Sequence, residues 1–340
     1  MIDSIRKIRE KIAPRDYPYM YARVSAKATK LLDQSDYENL LKMEPNEIAK
    51  NLGEGAYKDE IDELGSNYEG ARLVELALSK NLSSTMRELL EMAPGPLENV
   101  IETYLRRYDI VSLKRLLRWK KSGEGDIIHL FTPVSSFDHS DLEEMKEKEF
   151  GEIVDGIEFD SDVDYQEFLS GKETLREIEN ALDRAYYTEL EDLAERTGSP
   201  EFRRFIEREM EYQNLRIAMR LKRYGMEGND IEEMLVDGRD SETLTEVLEA
   251  EDHESALKKI QEMEEIESSS EIEDLEHALQ VKRNSEALKM LHTEPLGLTS
   301  ILGYVVAKIN EVKNLRTLVK ARETGVYDRE EIKDNLVIPG

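Results

Sequence analysis

The stretch Met210–Gly225, MEYQNLRIAMRLKRYG, returns one hundred residues later as Asn310–Gly325, NEVKNLRTLVKARETG. Glu211 aligns with Glu311, Asn214, Leu215 and Arg216 with Asn314, Leu315 and Arg316, Arg220 with Lys320, Lys222 with Arg322, and Gly225 with Gly325. A blurred copy, YDIVSLKRLLRWKKSG, lies 102 residues upstream, with Asp109, Leu113, Lys114, Arg118, Lys120 and Gly123 in register. Self-similarity at a fixed period constrains the architecture more than any composition can. A second element travels with the first. Glu75, Ala77 and Leu78 match Glu179, Ala181 and Leu182, and again Glu276, Ala278 and Leu279. The acid of this E-x-A-L helix precedes the acid of the signature by 34, 32 and 35 residues. Each copy therefore reads as an E-x-A-L helix, a short helix, a break, and the signature helix. The breaks correspond as Pro94-Gly95-Pro96, Gly198-Ser199-Pro200 and Glu294-Pro295-Leu296-Gly297. Pro just inside a helix start supplies a tolerated φ.

The period sets three units, 1–134 (with an N-terminal arm), 135–238 and 239–340. A chain of 340 residues also exceeds what one core usually holds. The few Pro and Gly, 9 and 18, favour long helices over many turns, so the fold class is all-α. Pro18 places a helix start near Tyr19, with Tyr17, Tyr19 and Tyr21 packing at the entry to the first unit. A Gly ends each signature at the left-handed cap position. Capping boxes then open the next helix, Asn229 with Glu232 and Asp328 with Glu331, and lead to Leu235-Val236 and Leu336-Val337. Acidic segments such as Glu262–Glu267, EMEEIE, read as solvated faces.

On a helical wheel the signature carries two apolar stripes. Ile206, Met210, Ile217, Leu221 and Tyr224 form one; Phe205, Tyr212, Leu215 and Met219 form the other. Such a helix is sandwiched between neighbours, and Asn214 beside the first stripe needs hydrogen-bond partners in the interior. The apolar run from Leu296 to Ile309 reads as a buried helix. The repeated acid of the E-x-A-L helix is expected to pair with the repeated base of the same copy, Glu75 with Lys114, Glu179 with Arg216, and Glu276 with Arg316. With Asn214 and Asn314 these form a structural polar network. Arg118, Arg220 and Lys320 are candidates for facing a partner. A charge repeated in three copies points to a repeated fold rather than to three active sites.

The net charge of −28 at pH 7 excludes a basic footprint for nucleic acid and a direct electrostatic hold on an anionic membrane. Cys is absent, so thiol chemistry and Cys-based metal sites are excluded. The N-terminus, MIDSIRKIREKIA, lacks the apolar core of a signal peptide, and no apolar run reaches the ~18 residues of a membrane span. No phosphate-binding G-x-x-x-x-G-K-[ST], G-x-S-x-G or H-E-x-x-H occurs. Asp126/His129 and Asp274/His277 come nearest to the paired E-x-x-H of a di-metal helical enzyme, and neither has Glu. Trp119 reads as an anchor between helices. No catalytic residue, metal or cofactor is expected, and no direct nucleotide binding.

The opening Tyr19-x-Tyr21-x-Arg23-Val24-x-Ala26, the Asn-Leu-Arg helices at 214 and 314, the E-x-A-L helices, and the closing Glu331-Ile332 with Leu336-Val337 form a set. Together they resemble the C/d family of V-type ATPase subunits, which includes the C subunit of the archaeal A-type ATP synthase. The resemblance spans essentially the full chain. It departs in the degenerate first copy and in the acidic loops. It implies three pseudo-repeated helical domains arranged as a funnel around a central cavity. It further implies a non-catalytic rotor part of the central stalk, serving ATP synthesis and hydrogen ion transport. The partners it implies are the central-shaft subunits of D and F type on the wide side and the proteolipid ring on the other, with the chain peripheral on the cytoplasmic side of the membrane. The acidity adds the expectation of a salt-sensitive contact with basic surfaces of shaft or ring. Two other readings stand beside it. A helical-repeat scaffold would show a period of about 30–50 residues, and a helical carboxylate/His enzyme would show clustered inward Glu and His.

Overall fold

The computed structural model describes residues 17–123, 134, 139–236, 241–267, 271–293, 296–325 and 328–338. The described residues are helical and contain no strand. Six long helices dominate. They form three hairpins: α5 (Gly70–Met92) with α6 (Pro96–Ser122), α10 (Leu175–Thr197) with α11 (Pro200–Arg223), and α15 (Ile272–Thr293) with α16 (Leu298–Thr324). Short helices precede each hairpin. These are α1 (Pro18–Ala28), α2 (Gln34–Leu40), α3 (Pro45–Leu52) and α4 (Lys58–Leu64) before the first, and α7 (His139–Glu147), α8 (Phe150–Asp155) and α9 (Tyr165–Leu169) before the second. Before the third come α12 (Gly228–Glu232), α13 (Glu242–Glu249) and α14 (His253–Met263), and α17 (Arg329–Asp334) follows it.

Local chemistry explains the hairpins. Thr174 opens α10 with a capping box to Glu177, and Ser199 accepts from the Phe202 amide to open α11 with Pro200 at its first position. Gly198 lies between them at φ 61°, a left-handed cap that a side chain disfavours. The short helix expected after each E-x-A-L segment does not stand apart. Between Asn81 and Ala93 the chain NLSSTMRELLEMA has no Gly or Pro to break it, so it continues α5. Each signature is the C-terminal half of a long second helix. The break at Gly297 leads into α16, the buried helix expected from the apolar run, and Gly303 lets it close on α15. A Cβ there would lie 2.8 Å from the Ala287 carbonyl.

The hairpins close on one another. α6 packs on α10, α11 on α15, and α16 back on α5, so the six long helices make a ring. Neighbours run antiparallel. Arg118 meets Glu179 while Arg106, a few turns earlier on α6, meets Glu189 further along α10. Arg220 meets Glu276 while Arg208 meets Glu286. Six helices alternating in direction gather the three hairpin turns at one end and the Gly-capped ends, Gly123 and Gly325 among them, at the other. The turn end is packed solid by residues such as Leu97, Ile101, Phe202, Ile206, Ile301 and Leu302, each at most 1% exposed. Near that end the Tyr17 amide donates to the Leu296 carbonyl at 2.8 Å, tying the start of the described chain to the third hairpin.

The signature's polar residues act as clasps. Asn214 is fully buried, and its amide group donates to the Val236 carbonyl at 3.1 Å and accepts from the Val236 amide at 2.9 Å. Asn314 makes the same closed pair with Val337, at 2.9 Å in both directions. Each Asn thus behaves like a strand of backbone and straps the segment after the Gly cap onto its own helix. The bases at the next turns reach further. Lys120 donates to the Lys146 carbonyl at 2.6 Å, Lys222 to the carbonyls of Leu248 (2.9 Å) and Ala250, and Arg322 to the Met43 carbonyl at 3.1 Å. In every case the acceptor belongs to the short helices of the following copy, the first following the third.

Some local expectations are corrected. The box at Asp328 and Glu331 is present, but α12 starts after Glu227, and Asn229 lies within the helix rather than capping it. Tyr224 is 83% exposed, because α11 ends one residue before it and the chain turns away. Glu264, in the run read as solvated, is 2% exposed, held by Arg208 at 2.9 Å and Lys282 at 2.9 Å. An acidic run can put one carboxylate inside where cations wait for it.

Removing Asn214 strands one buried amide and one buried carbonyl, whereas removing Asn314 strands only the Val337 amide, because Asn310 also donates to the Val337 carbonyl, at 2.7 Å. Asn214→Ala should destabilise the chain by about 2–4 kcal/mol and Asn314→Ala by about 1–3 kcal/mol, each read as a lowered urea midpoint. An unchanged midpoint for both would show that the straps are held by something else.

Candidate functional site: a cation-rich cavity within the helical ring

The ring encloses a cavity of about 1300 Å³. Its walls come from the first half of α5, the middle of α6 and α11, the first half of α15, and the second half of α16. It therefore occupies the half of the ring toward the Gly-capped ends, away from the packed turns. Among the lining residues are eight Arg and Lys against five Glu, so the wall is net cationic inside a chain whose total charge is −28.

The deepest charge cluster joins all three copies. Glu209 of α11 is 4% exposed and takes a hydrogen bond from Arg107 of α6 at 2.8 Å and a double contact from Arg283 of α15, one arm at 2.7 Å. Burial pushes the Glu209 carboxyl up, and the two guanidiniums outweigh it and hold the group below the usual carboxylate range. A second buried cluster closes the ring between α16 and the N-terminal helices. Glu311 accepts from the Tyr57 hydroxyl at 2.6 Å, the Leu32 amide at 2.6 Å and Lys308 at 2.9 Å. Glu211 does the matching work in the second copy, bonded to Arg208 and to the Ser241 hydroxyl that caps α13.

The expected pairing of acid and base within each copy is not what the helices make. The pairs run between copies. Glu179 takes both arms of Arg118, at 2.6 and 2.7 Å, from the preceding signature helix. Lys114 of that helix pairs with Asp183. Glu276 takes Arg220, one arm at 2.7 Å, and lies 3.6 Å from Arg216, again from the preceding copy. Arg316 donates to the Ser79 hydroxyl at 2.6 Å, and the Glu75 charge acts on it. Which copy supplies the partner depends on how the hairpins sit side by side, and the spacing along the chain does not carry that. Arg118 and Arg220, expected to face a partner, are committed to carboxylates of this chain; Lys320 makes no ion pair among the described residues.

Lys313 carries no repeat signal, since its counterparts are Gln213 and Val111. It exposes its ammonium to the cavity while protein surrounds it. Burial, then Arg283, Arg216 and Arg107, lower its pKa from 10.5 to about 8. His277 beside it is lowered by burial and by Lys313. Among the described residues no group of His, Asp and Glu could hold a metal ion, and no helix is long and apolar enough to cross a membrane. His129 lies outside the described residues. Trp119 is partly buried against the core, with Lys120 5.7 Å over its ring.

Comparison with known proteins decides the family. The family model for the ATP synthase (C/AC39) subunit matches residues 20–335. The chain belongs to this family. The C subunit of the A-type ATP synthase of Methanococcoides burtonii is 32% identical to it, covering 95% of this chain and 94% of its own length. The same protein of Methanosarcina mazei is 32% identical over 98% and 96%, and that of Haloquadratum walsbyi 32% identical over 94% and 97%. The family match takes in all six long helices and the whole cavity wall of this C/AC39 chain.

Glu209→Leu leaves Arg107 and Arg283 facing each other and should cost about 3–5 kcal/mol, whereas Arg107→Met, Glu209→Leu and Arg283→Met together should recover most of that loss. Urea unfolding of the two variants checks the difference. Lys313 gives a pH signature. The folded chain releases this proton near pH 8 and the unfolded chain near 10.5. Between those values the unfolded state binds more protons, so stability from this group rises with pH; below pH 8 its penalty is fully present. Thermal unfolding of wild type and Lys313→Gln should therefore show the variant ahead at pH 7 and its advantage shrinking from pH 8 to 10. Curves that stay parallel would contradict a lowered pKa.

Proposed function

We propose that this chain is the non-catalytic central-stalk component of an A/V-type rotary ATP synthase, a socket that joins the central shaft to the proteolipid ring in the membrane. The observation that carries this reading is the closed ring of three antiparallel hairpins, hollow at one end and solid at the other. The shaft subunits, of D and F type, enter the cavity at the Gly-capped end. The packed turn end rests on the proteolipid ring. Three units, 1–134, 135–238 and 239–340, together form the funnel. The chain sits peripherally on the cytoplasmic side of the membrane and carries torque between ion flow and ATP chemistry.

Several features support it. The chain is related along its whole length to the C subunits of archaeal A-type ATP synthases. An adapter that transmits torque must not shear. Here every copy is gripped by its neighbour through buried ions and clasped carbonyls, and the last copy grips the first. A closed ring resists twisting better than an open superhelix, because no free edge can slide. The sign of the charges refines one expectation. The cavity wall is cationic, so the acidity of the chain lies elsewhere, and contact with basic ring loops is reserved for the outer surface.

Bulk introduced in the cavity wall tests the socket. Gln213→Trp and Gln280→Trp fill space that the shaft would occupy. Both should weaken co-purified shaft binding at least tenfold while leaving association with the proteolipid ring unchanged. If shaft binding survives both substitutions, the shaft docks somewhere other than the cavity.

A further inference from the structure

The three seams of the ring are not equivalent. Between α6 and α10, Arg118 and Lys114 face two carboxylates, Glu179 and Asp183. Between α11 and α15, Arg220 and Arg216 share Glu276. Between α16 and α5 the corresponding bases are Lys320 and Arg316. The position of Asp183 is taken there by Ser79, whose hydroxyl meets Arg316 in place of a carboxylate. The Nε atoms of Arg216 and Arg316 are both buried with no hydrogen-bond partner, and Arg216 has Glu276 at 3.6 Å. Lys320 has no ion pair among the described residues, and neither does Lys313, one turn before Arg316 on the same face of α16. Glu75 and Glu323 also line this side. Glu75 lies 3.6 Å from Arg72, and Glu323 is ion-paired to neither lysine.

We propose that the α16–α5 wall, through Lys313, Lys320 and Arg316, is a carboxylate-binding face, and that acidic side chains at the tip of the shaft dock on it. The proposal rests on the reading that the shaft occupies the cavity, and it adds the chemistry of the contact and its orientation. The first seam gives each of its two bases a carboxylate, and the second gives its two arginines one shared carboxylate. The third holds cations crowded by other cations, and in a partly desolvated cavity an incoming carboxylate relieves that repulsion. The occupant is therefore acidic where it touches this wall, although the chain as a whole is acidic too. Because Lys313 and Lys320 lie on one of the three similar seams and their counterparts are not lysines without an ion pair, a shaft held there has one rotational setting in the socket instead of three equivalent ones. A rotor part needs such keying to pass torque without slipping by a third of a turn.

Two measurements test it, on the full chain. The first uses a fluorescein-labelled hexaglutamate peptide at low salt. Wild type should bind it, and Lys313→Gln with Lys320→Gln should weaken binding at least tenfold. Arg220→Gln, which alters the matching but ion-paired position of another seam outside the cavity wall, should change it less than twofold. The second uses the purified shaft subunits. The double variant should lose at least tenfold in affinity, wild-type affinity should fall as salt rises, and Arg220→Gln should stay within twofold. Circular dichroism confirms that each variant is folded. Peptide binding that is absent in wild type, or equal in wild type and double variant, overturns the carboxylate face. Shaft binding unaffected by the double variant overturns the docking. Failure of wild type to bind the shaft at all would instead remove the socket reading on which the inference stands.

Discussion

The structure depends on the grip each copy takes on the next. Without it there would be three helical hairpins, each with one apolar face too many. The signature helix supplies the grip at several heights. Its acid reaches the start of the following block of short helices, at Ser241 from Glu211 and at the Leu32 amide from Glu311. Its terminal base reaches a carbonyl later in the same block, at Lys146, Leu248 or Met43. These carbonyls would otherwise end in poorly paired turns, and an ammonium or guanidinium is well suited to a helix C-terminus. The grip from third copy to first matters most, because it turns a row into a ring. It is also the driest. Lys308 and Glu311 are 3% exposed, and Tyr57 at 1% covers them. Ions so buried stabilise only when their remaining bonds are met, and here the tyrosine hydroxyl and the Leu32 amide meet them.

Closing the ring creates the cavity and determines its sign. Charges on the inner faces of six helices cannot all reach water, so they are arranged against one another. Glu209 takes Arg107 and Arg283 because three copies converge on that point. The Lys313 ammonium is left partly desolvated and among guanidiniums, and burial first, then their charge, is why its proton is loosely held. A chain with 75 acidic and 47 basic residues thus turns more bases than acids toward this cavity. Composition describes the surface that solvent sees and says nothing about this inversion.

Much of the fold was legible in the residues. Asn214 beside an apolar stripe had to be buried and bonded, and it is. The Gly caps, the Pro breaks and the Leu296–Ile309 run all mark real element boundaries or real burial. Partners were harder to read. Glu179 lies 37 residues before Arg216 and 61 after Arg118, and nothing along the chain says which base it will meet. Lys313 gave no signal because it breaks the repeat instead of following it. Asn229 failed as a cap because Glu227 and Gly228 begin the helix first. Glu264 looked like one of many solvated acids, since the cations that bury it come from α11 and α15.

What the sequence determined by itself was periodic and local: an all-helical chain, built three times, with a polar signature too regular to be three active sites and a full-length likeness to one family. Helical periodicity and caps act over a few residues, so one copy of the sequence suffices to read them. The tertiary structure alone decided that the copies interlock head to tail, that the third grips the first, and that Lys313 and Lys320 at the seam so formed make no ion pair among the described residues. Those outcomes depend on which helix faces lie opposite each other. Coulomb and hydrogen-bond partners are chosen by distance in space, which the order of residues does not contain.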